Sequence, residues 1–299
     1  MASLREIRNR IKSVRSSEKI TKAMTMVAAS KFRKAQENLK NSRSYSNQIN
    51  NMITKMQYEN SKEYSVCSLL KPRQERNIEL LIMTSDRGLC GAFNTNIIRK
   101  VQSFLKEYKA HNILENKIQL STFGHKGYEI FKKENMVIRK NYSHMPHVYS
   151  DYLEASKIVS ELESLYKHEN LDAVYVAYNE FNNISNQKII IKKLMPIIIQ
   201  NDIAEKNIDT DFNSIDFIFE PTKQKILKEL LPKYLTAQLF QALLESAASE
   251  HGARMTAMDN ATRNAKEVIE NLTLKYNRAR QASITNELIE ILSGAEALR

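Results

Sequence analysis

The loop best equipped for chemistry runs from Ser85 to Asn94 and reads SDRGLCGAFN. It lies between a predicted strand and a predicted helix, which is where phosphates bind in many α/β proteins. The loop lacks both the Lys-Ser/Thr pair of a P-loop and the three-glycine spacing of a dinucleotide fingerprint. It is therefore predicted to be a tight turn in which glycine permits close backbone approach.

Other candidate catalytic groups are isolated in the sequence. Cys90 could be a nucleophile, but no histidine lies near it in sequence to act as a base. Glu161 and Glu163 are expected on a solvated helix, and His251 is expected to pack or to contact a partner. Cys67 and Cys90 are too few for a disulfide framework or a metal site, and reduced free thiols are expected. We predict no catalytic, cofactor-binding or metal site in this chain.

Composition excludes several protein classes. The 299 residues are 42% hydrophobic and 26% charged, which is enough to form a buried core. Only 6 Gly and 5 Pro are present, which argues against a turn-rich all-β fold. No apolar run approaches the roughly 20 residues of a membrane span, and the N-terminus does not resemble a secretory signal. Membrane contact is therefore expected to be peripheral.

The net charge of +11 is concentrated near the N-terminus, because residues 1–57 hold 13 Lys and Arg but only 3 Asp and Glu. Such an arm favours an acidic partner, which could be nucleic acid, anionic lipid or a protein surface. Two interpretations remain open, a DNA-binding basic region and the solvated exterior of a coiled coil. The cations of the first turns surround the helix: Arg5, Arg8, Arg10, Lys12, Arg15, Lys19 and Lys22.

Residues 3–57 are predicted to form one long helix. Ser3 and Glu6 make a capping box at its start. The 3–4 spacing of a coiled-coil seam then continues with few interruptions, and such a helix needs a partner helix. The seam positions are Leu4, Ile7, Ile11, Val14, Glu18, Thr21, Thr25, Ala28, Phe32, Ala35, Leu39, Ile49, Ile53 and Met56.

Residues 221–299 are predicted to supply that partner. Pro221 suits a helix start, and Pro232 is expected to kink or briefly interrupt the helix. The two terminal helices could pair antiparallel. The seam positions expected on the second helix are Leu244, Ala247, His251, Met255, Met258, Ala261, Ala265, Val268, Leu272, Tyr276 and Ala279.

The middle of the chain, residues 77–220, alternates strand and helix patterns. Strands are predicted at 77–84, 117–124, 173–178 and 188–199, with helices at 95–108, 125–135 and 151–168. This alternation indicates an α/β domain with a mostly parallel sheet. Residues 58–76 are polar and irregular and are expected to be a linker. The predicted fold is thus α/β plus coiled coil.

Three sequence blocks carry a family resemblance. The first is KITKAMTMVAASKFR, residues 19–33, and the second is TSDRGLCGAFN, residues 84–94. The third comprises residues 250–258 and 276–291, with Tyr276 to Thr285 reading YNRARQASIT. Together they resemble the gamma subunit of F-type ATP synthases over essentially the whole chain. The chain lacks the cysteine-bearing regulatory insert of the chloroplast branch, so redox switching is not expected.

The resemblance implies a specific architecture and role. The terminal helices would form an antiparallel coiled coil, with a central Rossmann-like α/β foot domain. The shaft would stand inside a ring of three alpha and three beta subunits, with the foot beside the epsilon subunit and the c-ring. Proton-driven rotation of the c-ring would turn the shaft, and ATP would form on the beta subunits without a cofactor on this chain. The complex would lie on the cytoplasmic side of a bacterial inner membrane, or on the matrix side of the mitochondrial one.

The resemblance also implies a set of residues that couple rotation to the ring without being catalytic. They are expected where the shaft meets the ring or packs on itself. For Met24, plain core packing is the alternative. The set is Met24, Arg254, Arg278, Gln281, Thr285 and Glu287.

Two other functions are alternatives to the rotary shaft. A nucleic-acid-binding coiled coil would use the basic arm, and tight, steeply salt-dependent affinity for duplex DNA would favour it. An enzyme would use the SDRGLCG turn, and nucleotide turnover by the isolated chain would favour that alternative.

Overall fold

The structure is a computed structural model that describes residues 4–59, 68–111, 117–143, 151–183, 187–197, 220 and 222–297. Two compact units make up the chain. One contains residues 1–30 and 254–299, and the other contains residues 31–253. The helices are α1 (Leu4–Glu59), α2 (Phe93–His111), α3 (His125–Lys133), α4 (Tyr152–Lys167) and α5 (Lys223–Ala297). The strands are β1 (Asn77–Met83), β2 (Lys117–Phe123), β3 (Ile138–Asn141), β4 (Ala173–Phe181) and β5 (Gln187–Met195).

The first unit is formed by the start of α1 and the end of α5. Every predicted seam position of α1 in this unit, from Leu4 to Ala28, is buried or half-buried. The Thr262 hydroxyl of α5 donates a hydrogen bond to Thr21 Oγ1 of α1 over 2.7 Å. The heptad prediction for α1 is therefore confirmed, including its polar interruption.

The seam of α5 in this unit differs from the prediction at one residue. Val268 is 41% exposed, whereas Ile269 is half-buried. The expectation for Val268 is wrong because alternating steps of four and three from Ala265 lead to Ile269. The inward positions, all buried or half-buried, are Met258, Ala261, Thr262, Ala265, Ile269, Leu272, Tyr276 and Ala279.

The second unit is built on a five-stranded sheet with the order β3-β2-β1-β4-β5. β1 pairs in parallel with both β2 and β4, and β2 pairs in parallel with β3. β5 runs antiparallel to β4. The mostly parallel α/β domain is confirmed, but the sequence analysis missed β3. That strand has only four residues, and none of them is fully buried.

Helices cover both faces of this sheet. Ile78, Leu80 and Ile82 of β1 pack in one apolar cluster with residues of α2 and with Phe131 of α3. Leu81 and Met83 pack on the opposite face with residues of α4, α1 and α5. Because both faces of β1 are buried, its apolar run is continuous rather than alternating.

The part of α1 after Lys31 and the part of α5 before Ala253, here called the root helices, pack antiparallel in the second unit. A Cβ on Gly252 would lie 3.5 Å from the Phe32 ring. Further along, Gln238 donates to Ser46. Phe32 also meets Phe181 of β4 edge to face, with ring centroids 5.4 Å apart. The root helices therefore pack directly on the end of the sheet.

Pro232 does not interrupt α5, so that part of the expectation is wrong. Proline has no amide hydrogen, so the carbonyl of Lys228, four residues earlier, loses its helical hydrogen bond. The side chain of Lys228 is exposed. Leu227, Leu231 and Leu235 are buried on both sides of the proline. Apolar packing on either side maintains the helix across the missing hydrogen bond.

Some expectations fall on residues outside the described ranges. These concern Ser3 of the capping box, Cys67, Pro221, residues 198–199 of the last predicted strand, and residues 60–67 of the expected linker.

Candidate functional surface on the paired helices

The outer surface of α1 in the first unit is basic. The seven cations named above, from Arg5 to Lys22, are all exposed. They surround the helix rather than lining one groove, which fits the solvated exterior of a coiled coil. Such a charge distribution can still attract an acidic surface over a long range.

A polar face follows near the end of α5. Arg278, Gln281 and Thr285 are all exposed, and their spacing places them on one side of the helix. Thr285 Oγ1 donates back to the Gln281 carbonyl over 2.9 Å. Glu287 is exposed as well and accepts from Ser283 Oγ over 3.4 Å. Apart from these within-helix bonds, the face offers side chains suited to another molecule.

The last turns of α5 also expose large apolar side chains. Ile291 and Leu292 are each 67% exposed. Clustered apolar exposure of this kind marks an interaction surface rather than ordinary solvated helix. The full set is Ile284, Leu288, Ile289, Ile291 and Leu292.

Met24 and Arg254 are less accessible than the α5 face. Both are half-buried. On α1 beside Met24, three apolar side chains are more than half exposed, namely Ile20, Met26 and Val27. The surface around Met24 is thus apolar on the outside of the helix as well as in the seam.

The SDRGLCG loop is a hydrogen-bonded turn. Asn94 Nδ2 donates to Ser85 Oγ over 2.7 Å and to Cys90 Sγ over 3.2 Å. Cys90 itself is 2% exposed. Gly124, at φ +88°, lies so close that an added Cβ would be 2.0 Å from the Thr84 carbonyl oxygen. A close backbone approach is thus present at Gly124, which follows β2, and in the loop itself Gly91 has a φ of +57°.

Sequence reasoning missed a buried charge network on the α4 side of the sheet. Glu79 of β1 is fully buried and accepts hydrogen bonds from Arg139 over 2.7 Å and from Ser121 over 2.5 Å. Arg139 also donates to Glu161 over 2.6 Å. Burial works to lower the pKa of Arg139, but Glu79 and Glu161 together raise it. A lone glutamate inside the apolar run NIELLIM was the only signal available.

The two carboxylates predicted on a solvated helix differ in environment. Glu161 is half-buried in this network, also bonded to Lys140. Glu163 pairs with Lys167 over 2.7 Å within α4. The two side chains have separate partners and do not form an acid–base pair. Across the described ranges, no group of His, Cys, Asp and Glu is arranged to hold a metal ion, and no helix there combines the length and apolarity needed to cross a membrane.

Comparison with known proteins gives full-length matches. A family model described as ATP synthase matches residues 3–298. The chain is 45% identical over 300 residues to an ATP synthase gamma chain of Anaeromyxobacter sp. (strain Fw109-5), and 44% identical over 299 residues to that of Geobacter metallireducens. Both alignments cover all of each chain.

Solved structures match as well. A chain of the central stalk and c-ring structure of the Tetrahymena thermophila mitochondrial ATP synthase has a TM-score of 0.61 and 26% identity, covering 81% of this chain and 99% of that one. A chain of the Euglena gracilis mitochondrial OSCP/F1/c-ring structure has a TM-score of 0.65. It covers 99% of this chain and 94% of that one, but at 18% identity it speaks to the fold alone.

Proposed function

This chain belongs to the ATP synthase gamma chain family, and on that premise we propose that it is the central rotor shaft of an F-type ATP synthase. It couples proton-driven rotation of a c-ring to ATP synthesis or hydrolysis in a ring of alpha and beta subunits. By gating that coupling it also regulates ATPase activity and proton flow. The observation that carries the proposal is the pair of long terminal helices within full-length similarity to gamma chains.

The paired helices have the properties that a shaft requires. Two helices packed along a seam resist twisting better than one helix does. The start of α1 exposes mainly cations, whereas the end of α5 exposes a polar face that continues into apolar side chains, so the shaft surface is asymmetric. An asymmetric surface presents different contacts to each catalytic site in turn, which a symmetric axle cannot do. Exposed cations attract acidic loops without fixing one geometry.

The proposed partners follow from the family. The alpha and beta subunits would surround the shaft, and the epsilon subunit and the c-ring would bind at the foot. The chain would associate with the membrane peripherally, through the complex, on the cytoplasmic side of a bacterial inner membrane. The relatives named above are bacterial proteins, which supports that location over the mitochondrial matrix.

We further propose that the chain carries no catalytic site of its own and serves the enzyme as a subunit. Support comes from the most chemistry-like loop, where the Cys90 thiol is buried and accepts a hydrogen bond from Asn94. The side chain of Ser85 is likewise occupied, since it donates to the Arg87 carbonyl over 2.8 Å. These contacts explain the polar residues of the turn without a substrate.

Coupling is proposed to depend on six residues, none of them catalytic. Four are exposed on α5: Arg278, Gln281 and Thr285 share one face, and Glu287 lies about 180° from Arg278 around the axis. The half-buried Met24 and Arg254 are the other two. Hydrogen bonds and ion pairs from exposed side chains can form and break as the shaft turns, because each is weak alone. The proposed set is Met24, Arg254, Arg278, Gln281, Thr285 and Glu287.

Copurification tests the proposal directly. An affinity tag on this chain should recover one copy with three alpha and three beta subunits, and the complex should hydrolyse ATP with rotation of the chain. Recovery of the chain without ring subunits, together with tight salt-dependent binding of duplex DNA, would instead support a nucleic-acid-binding coiled coil. Nucleotide turnover by the isolated chain would support an enzyme.

A further inference from the structure

A set of polar contacts links the root helices to the last two strands of the sheet. Ser249 of α5 donates to the Asn179 carbonyl of β4 over 3.2 Å. Gln187 Nε2, at the start of β5, donates to the Ser249 carbonyl over 3.0 Å. Further along β5, Lys192 Nζ donates to Gln238 Oε1 over 2.7 Å. Two separate points of α5 are therefore hydrogen-bonded to the sheet.

The same contacts extend to α1. Gln238 donates in turn to Ser46 Oγ over 3.4 Å. Arg43 lies 3.6 Å from the Glu245 carboxylate and donates to the Phe181 carbonyl over 3.4 Å. Three groups of polar contacts thus join both root helices to both strands, and together they are here called the polar clamp. Its members are Arg43, Ser46, Asn179, Phe181, Gln187, Lys192, Gln238, Glu245 and Ser249.

The clamp follows one face of α5. Gln238, Glu245 and Ser249 are spaced by seven and four residues, which places them on the same side of a helix. The 11 residues from Gln238 to Ser249 span about 16 Å along the axis. Attachment at two points separated by that distance constrains the direction of the helix axis as well as its position.

Much of the clamp is shielded from water. Ser249 is fully buried, and Asn179, Ser46 and Glu245 are each no more than 3% exposed. Burial raises the pKa of Glu245 against the effect of Gln241 and Arg43. Lys192, by contrast, has an exposed side chain, and its hydrogen bond to Gln238 is open to solvent. The hydrogen bond between buried Ser249 and the Asn179 carbonyl cannot be exchanged for water without leaving a buried polar group unpaired.

The hydrogen bonds of the clamp, whose strength depends on angle, add a resistance to rotation that the surrounding apolar core does not supply. Phe32, Phe181, Leu244 and Ala248 hold the same elements together. Hydrophobic burial is non-directional and is roughly proportional to area, so it opposes separation more than it opposes a small rotation. Hydrogen bonds weaken steeply when their angle changes. The hydrogen bonds of the clamp therefore add resistance to a small rotation at this junction.

We propose that the polar clamp is the torsional joint of the rotor, through which the α/β domain passes torque to the root helices. The proposal rests on the rotor function proposed above. Gln187 and Lys192 are positioning residues in it, since they act on the shaft through Ser249 and Gln238.

Angular fluctuations of a stalled complex test this inference. A gold particle is attached to a cysteine replacing exposed Lys106 of α2, with Cys67 and Cys90 changed to Ser. The complex with three alpha and three beta subunits is stalled with a non-hydrolysable ATP analogue. In the double variant Gln187→Ala/Lys192→Met, the variance of the particle angle should rise about twofold, because two directional links are lost. Lys188→Met, at an exposed site on the same strand, is the matched control and should leave the variance unchanged.

A conservative substitution distinguishes a loss of torsional stiffness from a defect in folding. Lys192→Arg retains a donor for Gln238 and should give the parental variance, whereas Lys192→Met alone should increase it. Each single variant also serves if the double variant fails to assemble. Equal variance in the parental, Lys192→Met and Gln187→Ala complexes would overturn the proposal that the polar clamp is the torsional joint. Absence of ATP-driven rotation in the parental complex would instead contradict the rotor function itself.

Discussion

Individual polar side chains near the end of α5 face outward without strong anchors. Replacing Arg278 or Gln281 with Ala should lower ATP hydrolysis and proton pumping about fivefold, because one charge-assisted or neutral hydrogen bond to the ring contributes about 1 kcal/mol. Assembly should survive, since both residues are exposed. The measurement is turnover and pumping in reconstituted vesicles, normalised to assembled complex.

Lys133→Ala, at an exposed site in the last turn of α3, is the control and should change neither quantity. Parental turnover and pumping in both the Arg278 and the Gln281 variants would show that this face does not take part in coupling.

The buried pair Glu79–Arg139 is a stability determinant of the α/β domain. Arg139→Met should lower the free energy of unfolding by about 3–5 kcal/mol, because it leaves a buried carboxylate without its cation. Urea unfolding of the full chain measures the change. Lys140→Met, which removes a 38% exposed cation from the same network, should lower it by only about 0–1 kcal/mol. Equal losses in the two variants would contradict this assignment.

Glu75 makes the stability of the α/β domain depend on pH in the acid range. Burial works to raise the pKa of its carboxyl, but hydrogen bonds from Lys193, Tyr108 and Tyr175 hold it below the ordinary value of 4.5. A pKa lowered by folding contributes stability that is present above the unfolded pKa and is lost as pH falls through the folded one. Glu75→Gln should therefore flatten the decline in unfolding free energy below about pH 5.

Thermal or urea unfolding at several pH values measures that slope. Glu37→Gln, at an exposed carboxylate of α1, is the matched comparison and should preserve it. An unchanged slope in the Glu75 variant would mean that other carboxyls govern the acid transition.

At the scale of elements, the pairing of α1 with α5 has a defined register. Cysteines replacing Thr21 and Thr262 should form a disulfide within one chain, because their hydroxyl oxygens are 2.7 Å apart and lie on facing seams. The control is the pair Val14 and Met258. Antiparallel pairing with Thr21 opposite Thr262 places Val14 opposite Ile269, so Met258 is out of register by about 11 residues, or roughly 16 Å along the axis.

Non-reducing gels and peptide mapping distinguish the products. The Thr21–Thr262 pair should give a monomer-sized crosslinked species, and the Val14–Met258 pair should give little. Crosslinks only between different chains would refute antiparallel pairing within the shaft.

At the scale of the whole molecule, the assembled complex should not respond to thiol redox state. Cys90 is buried and bonded to Asn94, so oxidants reach it poorly. Changing both Cys67 and Cys90 to Ser should leave ATP turnover close to that of the parent, with or without reductant. Stimulation of the parent by dithiothreitol that disappears in the double variant would refute this.

Elements with a local signal could be predicted from the pattern of residues alone. A heptad repeat requires one apolar seam, so the buried stripe of α1 from Leu4 to Ala28 could be read directly. Alternating strand and helix patterns gave the α/β domain and its mostly parallel sheet. Asp151 was expected near the start of α4, and it caps that helix by accepting from the Leu153 amide. The family blocks at both ends and in the middle added the function.

Features that depend on residues distant in sequence could be seen only in the folded chain. β3 forms because β2 offers it a parallel edge, although its own four residues carry a weak pattern. Glu79 is acceptable inside a strand because Arg139, 60 residues away, reaches it. Packing of Leu227, Leu231 and Leu235 carries α5 through Pro232. The polar clamp likewise joins four elements, and hydrogen bonds between separate elements leave no periodic trace in the sequence.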